Sequence, residues 1–256
     1  MNPNLPTPLA APENASSQNS KNTNNGTLYL VATPIGNLKD ISLRALETLK
    51  EVDSIVCEDT RRTSQLLNHY AIHKPLITLF AAKEKKTAPK IVELLLQQIS
   101  IALVSDAGMP GVSDPGSLLV QLAQEQKIPI IPIPGASALP SALSASGMGQ
   151  KGCIFLGFLP RNKGKIRKEL ALAAEQKRAI VFYESPFRVI ATLKLAQEVL
   201  GNDWGCFVAR EMTKMYEEYL SGSIFSILQQ LENRKILGEF TIVLQQQKHE
   251  HINKYD

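Results

Sequence analysis

Read for its alternation of apolar and polar positions, the chain divides into short apolar runs separated by single amphipathic helices. Leu28-Tyr29-Leu30-Val31-Ala32 is closed by Pro34 and Gly36, which predicts a buried strand. Ser42 precedes a helix with Leu43, Leu46 and Leu49 on one face, and Ser54–Cys57 predicts the next strand. A helix over Thr63–Tyr70 and a strand at Leu76–Leu79 follow. A helix bearing Ile91, Leu94, Leu95 and Ile99 then leads to a strand at Ile101–Val104. Pro115-Gly116 opens a further helix ahead of a strand at Ile128–Ile131. Strands this apolar, separated by helices, predict a mostly parallel sheet covered on both faces.

A small-residue helix over Ala136–Ser146 leads into a second block. Its strands are Cys153–Phe158, Ala179–Tyr183, Cys206–Arg210 and Phe240–Leu244, with helices near Lys165–Glu175, Pro186–Leu200 and Ser223–Asn233. Glu217–Tyr219 alternates ahead of Ser221-Gly222 and reads as a strand ending in a turn, so this sheet is mixed. The fold class is therefore α/β, with an N-terminal domain over 26–148 and a C-terminal domain over 149–247. No long linker separates them, which predicts a cleft between the two. Residues 1–25 are rich in Asn, Pro and Ser and hold no apolar core, which predicts a disordered tail and no signal peptide; 248–256 is a polar tail.

Composition narrows the class. Apolar residues make up 44% of 256, yet no run reaches the roughly eighteen a membrane span needs. Cys57, Cys153 and Cys206 are odd in number and widely spaced, which argues against a disulfide framework and for a reducing, cytoplasmic setting. None of His69, His73, His249 and His251 stands at metal-ligand spacing from a cysteine, so no metal is expected. Bases and acids balance at 11 each over residues 26–150, whereas 151–247 hold 14 bases against 10 acids. Arg161, Lys163, Lys165, Arg167 and Lys168 crowd into eight positions around Gly164, and only Glu169 is an acidic neighbour in sequence. Such a cluster suits a polyanionic partner reached by a mobile loop, and equally a solvated loop entering a helix.

In open α/β sheets ligands bind beyond the carboxyl ends of the strands, where this chain places its polar and glycine-rich segments. Thr33-Pro34-Ile35-Gly36 follows the first strand and Glu58-Asp59-Thr60-Arg61 the second. Asp106-Ala107-Gly108-Met109-Pro110 follows the fourth, and Pro134-Gly135-Ala136-Ser137 the fifth. Glycine there admits close backbone approach, and Asp106 offers a carboxylate to an ammonium or hydroxyl group. The first loop lacks the glycine spacing of a dinucleotide fingerprint and the Gly-Lys-Ser/Thr of a P-loop. A ligand without phosphates fits better.

Taken together, TPIGNL, CEDTR, SDAGMPGVSDPG, IPIPGASALPSALSASG, FLPRNKGKIRKEL, IVFYESPFRV and AREMTK closely resemble the tetrapyrrole methylase superfamily, in its branch of ribosomal RNA small subunit methyltransferases I. The match covers about residues 26–245. It implies a two-domain S-adenosylmethionine (SAM) methylase, a homodimer, acting on a ribose 2′-hydroxyl of a cytidine in the decoding region of 16S rRNA in the 30S subunit. SAM would sit between the domains. Thr33, Pro34, Ile35, Gly36, Asp106, Ala107, Gly108, Pro110, Pro134, Gly135, Ala136 and Ser137 would contact it, with the strand ends at Leu156 and Tyr183. Two departures stand out. Ala82-Lys83-Glu84 replaces the usual His-Asn-Glu, and Met109 replaces the threonine of SDAGTP.

A ribose hydroxyl is a weak acid, so the transfer calls for a base or a cation beside it. Glu58, Asp59, Glu84 and Glu184 are the candidate acceptors, and Arg61, Arg210 and Lys214 the candidate cations. For Glu58 to Arg61 a helix start is an equal reading, and for Glu184 and Arg210 a structural ion pair is the alternative. A tetrapyrrole methylase and a non-catalytic rRNA-binding assembly factor stand as alternative functions.

Overall fold

The computed structural model describes residues 25–202 and 204–247, so the expectations for the two tails lie almost wholly outside the described residues. The first sheet holds β1 (Leu28–Val31), β2 (Ser54–Cys57), β3 (Leu76–Thr78), β4 (Ile101–Val104) and β5 (Ile130–Ile133). All its pairings are parallel, in the order β3-β2-β4-β1-β5. Period-2 geometry splits β4: Ile101 and Leu103 face one way, Ala102 and Val104 the other. Helices α3 (Glu84–Leu96) and α4 (Ser117–Glu125) cover the first face through Ile91, Leu95 and Leu119. The other face is covered by α1 (Leu43–Glu51) and α2 (Thr60–His69) through Ala45, Leu49 and Leu67.

The chain leaves β1 in one direction along the sheet and β4 in the other. The strand order therefore reverses between them, which opens a crevice beyond their carboxyl ends. Thr33 and Gly108 tie the two loops there, with backbone bonds of 2.9 and 3.0 Å.

The second sheet orders β6 (Cys153–Phe158), β7 (Ala179–Glu184), β10 (Phe240–Gln246), β8 (Trp204–Arg210) and β9 (Glu218–Ser223). Only β6 and β7 pair in parallel, so the sheet is mixed. On one face lie α6 (Lys163–Glu175), α7 (Val189–Leu200) and α8 (Ile224–Glu232). The other face receives α5 (Ala138–Ser146), whose buried Ala142 packs against Ala179, Val181, Ala209 and Val243. Small side chains let that helix lie close, and it forms the joint between the two halves.

Several boundaries differ from expectation, and three of the differences have a plain local reason. β5 begins two residues late because Lys127 turns in the left-handed region (φ 55°) and Ile128 docks its N–H on Ala123. Pro132 then falls inside β5, which is tolerable because β5 is an edge strand. β9 runs through Ser221-Gly222, with no turn there, and ends at Ser223, which caps α8 through Ser226. Asn162 accepts from the Lys165 N–H and caps α6, so Gly164 lies in a helical first turn and the expected mobile loop is not there.

Candidate active site

The crevice between the sheets holds two chambers. The larger, about 470 Å³, lies under the first loop between Thr33–Gly36, α2 and Lys214. The smaller, about 380 Å³, runs from Ala107–Met109 and Ser137 across to Phe158, Tyr183 and Thr241. Ile35, Arg62, Asp106, Ala107 and Glu239 line both, so these residues mark the passage between them.

Two close approaches shape the walls. A Cβ on Gly36 would stand 2.4 Å from the Lys214 Cγ and 2.7 Å from the Thr213 Oγ1, so glycine alone lets the segment after β8 rest on the first loop. At the end of β6 a register shift between Phe155 and Phe158, with Gly157 at φ 60°, turns Phe158 toward the smaller chamber. Phe158 meets Tyr183 edge-on at 5.5 Å, and Phe155 meets it at 4.9 Å.

Electrostatics separates the chambers. Glu58, Asp106 and Asp114 face the smaller one together, with Arg62 the only cation among the described residues that lines it. Asp106 accepts from the Asp59 N–H at 3.3 Å and lies 3.4 Å from Arg62. Burial, and then the charges of Glu58 and Asp106, push the Asp114 carboxyl up to about 6. Burial and Asp106 likewise raise Glu58. A carboxylate cluster with so little compensation favours a cationic ligand, and the aromatic pair beside it offers a surface for a flat ring. SAM carries a sulfonium, an ammonium and an adenine, so the residues present fit it.

The larger chamber has a different frame. The Lys214 ammonium is held by Glu211 and Glu239, each at 2.9 Å. Burial alone would lower its pKa, but these two hydrogen bonds outweigh burial and raise it, so Lys214 stays charged.

The candidate residues sort themselves across this geometry. Thr33, Pro34, Ile35 and Gly36 line the larger chamber. Asp106, Ala107, Gly108, Ser137, Tyr183, Glu58 and Glu184 line the smaller. Pro110, Pro134, Gly135 and Ala136 line neither, and the Leu156 side chain packs into the core on the far face of the second sheet. Asp59 caps α2 through the Arg61 N–H at 2.8 Å and pairs with the Arg61 guanidinium, which holds its carboxyl down to about 2. Glu184 is buried against Arg188 (3.1 Å) and accepts from Thr192 (2.7 Å), although the residue borders the smaller chamber. Arg210 sits away from both, bonded to Glu218 at 3.3 Å and to the Leu237 carbonyl at 2.7 Å.

Glu84 accepts from the backbone N–H groups of Gly116, Leu118 and Leu119, at 3.0, 3.0 and 3.4 Å. It therefore satisfies the first turn of α4, whose own cap Gly116 has no side chain to do so. The basic cluster opens α6, and Arg167 finds a non-local partner in Glu198 at 2.7 Å.

Sequence reasoning missed Arg62, Asp114, Phe158 and Glu239. Asp114 stood inside the SDAGMPGVSDPG segment, and Arg62, the next residue on α2 after Arg61, lines the cleft 3.4 Å from Asp106 while Arg61 pairs with Asp59 and lines neither chamber. Glu239 precedes β10, which runs antiparallel to β7 and β8. The amino end of β10 therefore lies on the same rim as the carboxyl ends of its neighbours.

The model of the tetrapyrrole (corrin/porphyrin) methylases matches residues 27–228. The ribosomal RNA small subunit methyltransferase I of Thermotoga maritima is 47% identical over 219 residues, 86% of this chain and 98% of that protein. The Bacillus subtilis protein of the same name is 42% identical over 229 residues, 90% of this chain and 78% of that one. Among solved structures, diphthine synthase superposes with a TM-score of 0.67 at 15% identity, covering 86% of this chain and 90% of its own. Cobalt precorrin-4 methyltransferase does so with a TM-score of 0.62 at 14%, covering 86% and 94%. At such identities these two show the fold alone. The chain is a SAM-dependent methyltransferase of the tetrapyrrole methylase family and belongs to its branch of ribosomal RNA small subunit methyltransferases I.

Proposed function

We propose that the protein methylates the ribose 2′-hydroxyl of a cytidine in the decoding region of 16S rRNA, on the 30S subunit, as a cytoplasmic homodimer. The observation that carries this is the division of the cleft. One chamber, acidic and aromatic, suits a cationic nucleoside, and the other, where Arg62 offsets Asp106 and Lys214 offsets Glu239, lacks that excess of negative charge and suits the acceptor. The relatives' shared name supplies the acceptor class.

SAM supplies an activated methyl group. The Tyr183 and Phe158 rings would flank its adenine, and Asp106 with Asp114 would face its positive groups. Arg62, at the passage, would meet the phosphate or developing alkoxide of the acceptor. None of Arg161, Lys163, Lys165 and Lys168 forms an ion pair among the described residues, which leaves them to phosphates outside the cleft.

The test is methyl transfer from labelled SAM to isolated 30S subunits lacking the modification, followed by digestion to nucleosides. Recovery of label as 2′-O-methylcytidine is expected. Label on a base, or transfer to a porphyrin and none to subunits, would overturn the reading.

A further inference from the structure

We propose that Glu239 is the general base that takes the proton from the acceptor hydroxyl; this rests on the reading of the acceptor as a ribose 2′-hydroxyl. An acceptor oxygen that reaches a methyl group in the smaller chamber from the larger one must stand at the passage between them. A base within hydrogen-bond reach must stand there too. Among the described residues the passage has two carboxylates, Asp106 and Glu239. Glu58, Asp114 and Glu184 open only onto the smaller chamber.

Asp106 is already engaged, by Arg62 at 3.4 Å and by the Asp59 N–H at 3.3 Å. Glu239 has a single side-chain partner among the described residues, Lys214 at 2.9 Å, and its side chain is 69% exposed. Lone pairs on it are open to a hydroxyl donor. It is nonetheless held in place. Glu211 accepts from the Glu239 N–H at 2.9 Å and from the Lys214 ammonium at 2.9 Å, so one carboxylate fixes both the backbone of the base and the cation beside it. Glu211 itself stands at φ 51° and Thr213 at φ 65°, two left-handed non-glycine residues in one short segment. The Thr213 hydroxyl is buried with no partner among the described residues. Strain of this kind persists where surrounding structure imposes it, and here the imposed product is the Lys214–Glu239 pair.

The step balances. The hydroxyl proton passes to a Glu239 oxygen while the hydroxyl oxygen bonds to the methyl carbon. The methyl–sulfur bond breaks with its electron pair going to sulfur. The products are the 2′-O-methyl ribose, S-adenosylhomocysteine and a protonated Glu239, which returns its proton to solvent. The charged groups beside Glu239 are Lys214 and Glu211, in contact with it, and Arg62 and Asp106, which share the walls of the passage.

The experiment compares wild type, Glu239→Gln and Glu239→Asp in single-turnover methylation of 30S subunits across pH, with SAM affinity measured by calorimetry. Nucleoside analysis of the wild-type product comes first: absence of ribose methylation there defeats the functional reading itself. Given ribose methylation, the transfer rate of Glu239→Gln at saturating SAM should fall at least about a hundredfold. SAM affinity should stay within about twofold, and the acidic limb of the pH–rate profile should vanish from the residual rate. Glu239→Asp should recover part of the rate with that limb restored. A Glu239→Gln rate near wild type would overturn the proposal. So would a loss that leaves the pH profile unchanged, or one that Glu239→Asp does not relieve in a folded protein.

Discussion

The two chambers share five wall residues yet are built on opposite electrostatic plans. In the smaller, Glu58 and Asp106 raise the Asp114 carboxyl, Asp106 raises that of Glu58, and one guanidinium answers the three. In the larger, Glu211 and one oxygen of Glu239 hold Lys214, and the other Glu239 oxygen is left to a further donor. The first plan leaves negative charge waiting for a ligand, whereas the second fixes a cation in place before any ligand arrives. On the proposed function, a cationic cofactor completes the first, and the acceptor enters the second, where cations offset the carboxylates.

The comparison can be broken first at Asp106, which belongs to both walls. Asp106→Ala should weaken SAM binding at least about tenfold, roughly 1.4 kcal/mol. Calorimetry on a protein with unchanged melting temperature reads this directly, and unchanged affinity would remove Asp106 from the cofactor site.

A second test leaves the chambers alone. Changing Lys163, Lys165 and Lys168 to Gln should weaken 30S binding by about fivefold at moderate salt and flatten the salt dependence, because each lost phosphate contact removes about 0.9 from the log–log slope. SAM affinity should not move, since none of the three lines either chamber. An unchanged salt slope would move the RNA footprint elsewhere.

The smallest effect concerns Asp114. Its folded-state pKa of about 6 lies above the unfolded value, so its neutral form stabilises the free protein fully below about pH 4. That contribution is lost as pH rises through about 6. A cationic cofactor favours the charged form, so SAM affinity should rise by about threefold between pH 5 and 7, a modest figure because the carboxyl is partly solvated. Asp114→Asn should flatten that rise. An equal rise in the variant would show that another group carries it.

The βα rhythm of the first half was legible because buried parallel strands are uniformly apolar and their helices are amphipathic. Ile101–Val104, placed by an unbroken apolar run, and Ile91–Leu95, placed by helical period, are cases in point. The second half was read nearly as well, but Ser221-Gly222 misled: a local turn signal yielded to pairing with Cys206 and Phe207 on β8. For the site, the sequence pointed to loops at the carboxyl ends of strands, and it overlooked Glu239 because no local pattern reveals that a strand is antiparallel. The retained glutamate of Ala82-Lys83-Glu84 shows the reverse. A residue read as a candidate base is a helix cap, a role that only the distance across 32 residues to Gly116 makes visible.

The division of the cleft is tested most directly by measuring SAM affinity and single-turnover methyl transfer together in Tyr183→Ala and Lys214→Ala. Tyr183→Ala should lose about tenfold or more in SAM affinity through the missing ring contact. Lys214→Ala should bind SAM as wild type does and lose about a hundredfold in transfer rate at saturating SAM. A Lys214→Ala protein that loses SAM affinity as severely as Tyr183→Ala, with its saturated rate intact, would show that the two chambers hold one ligand and contradict the account.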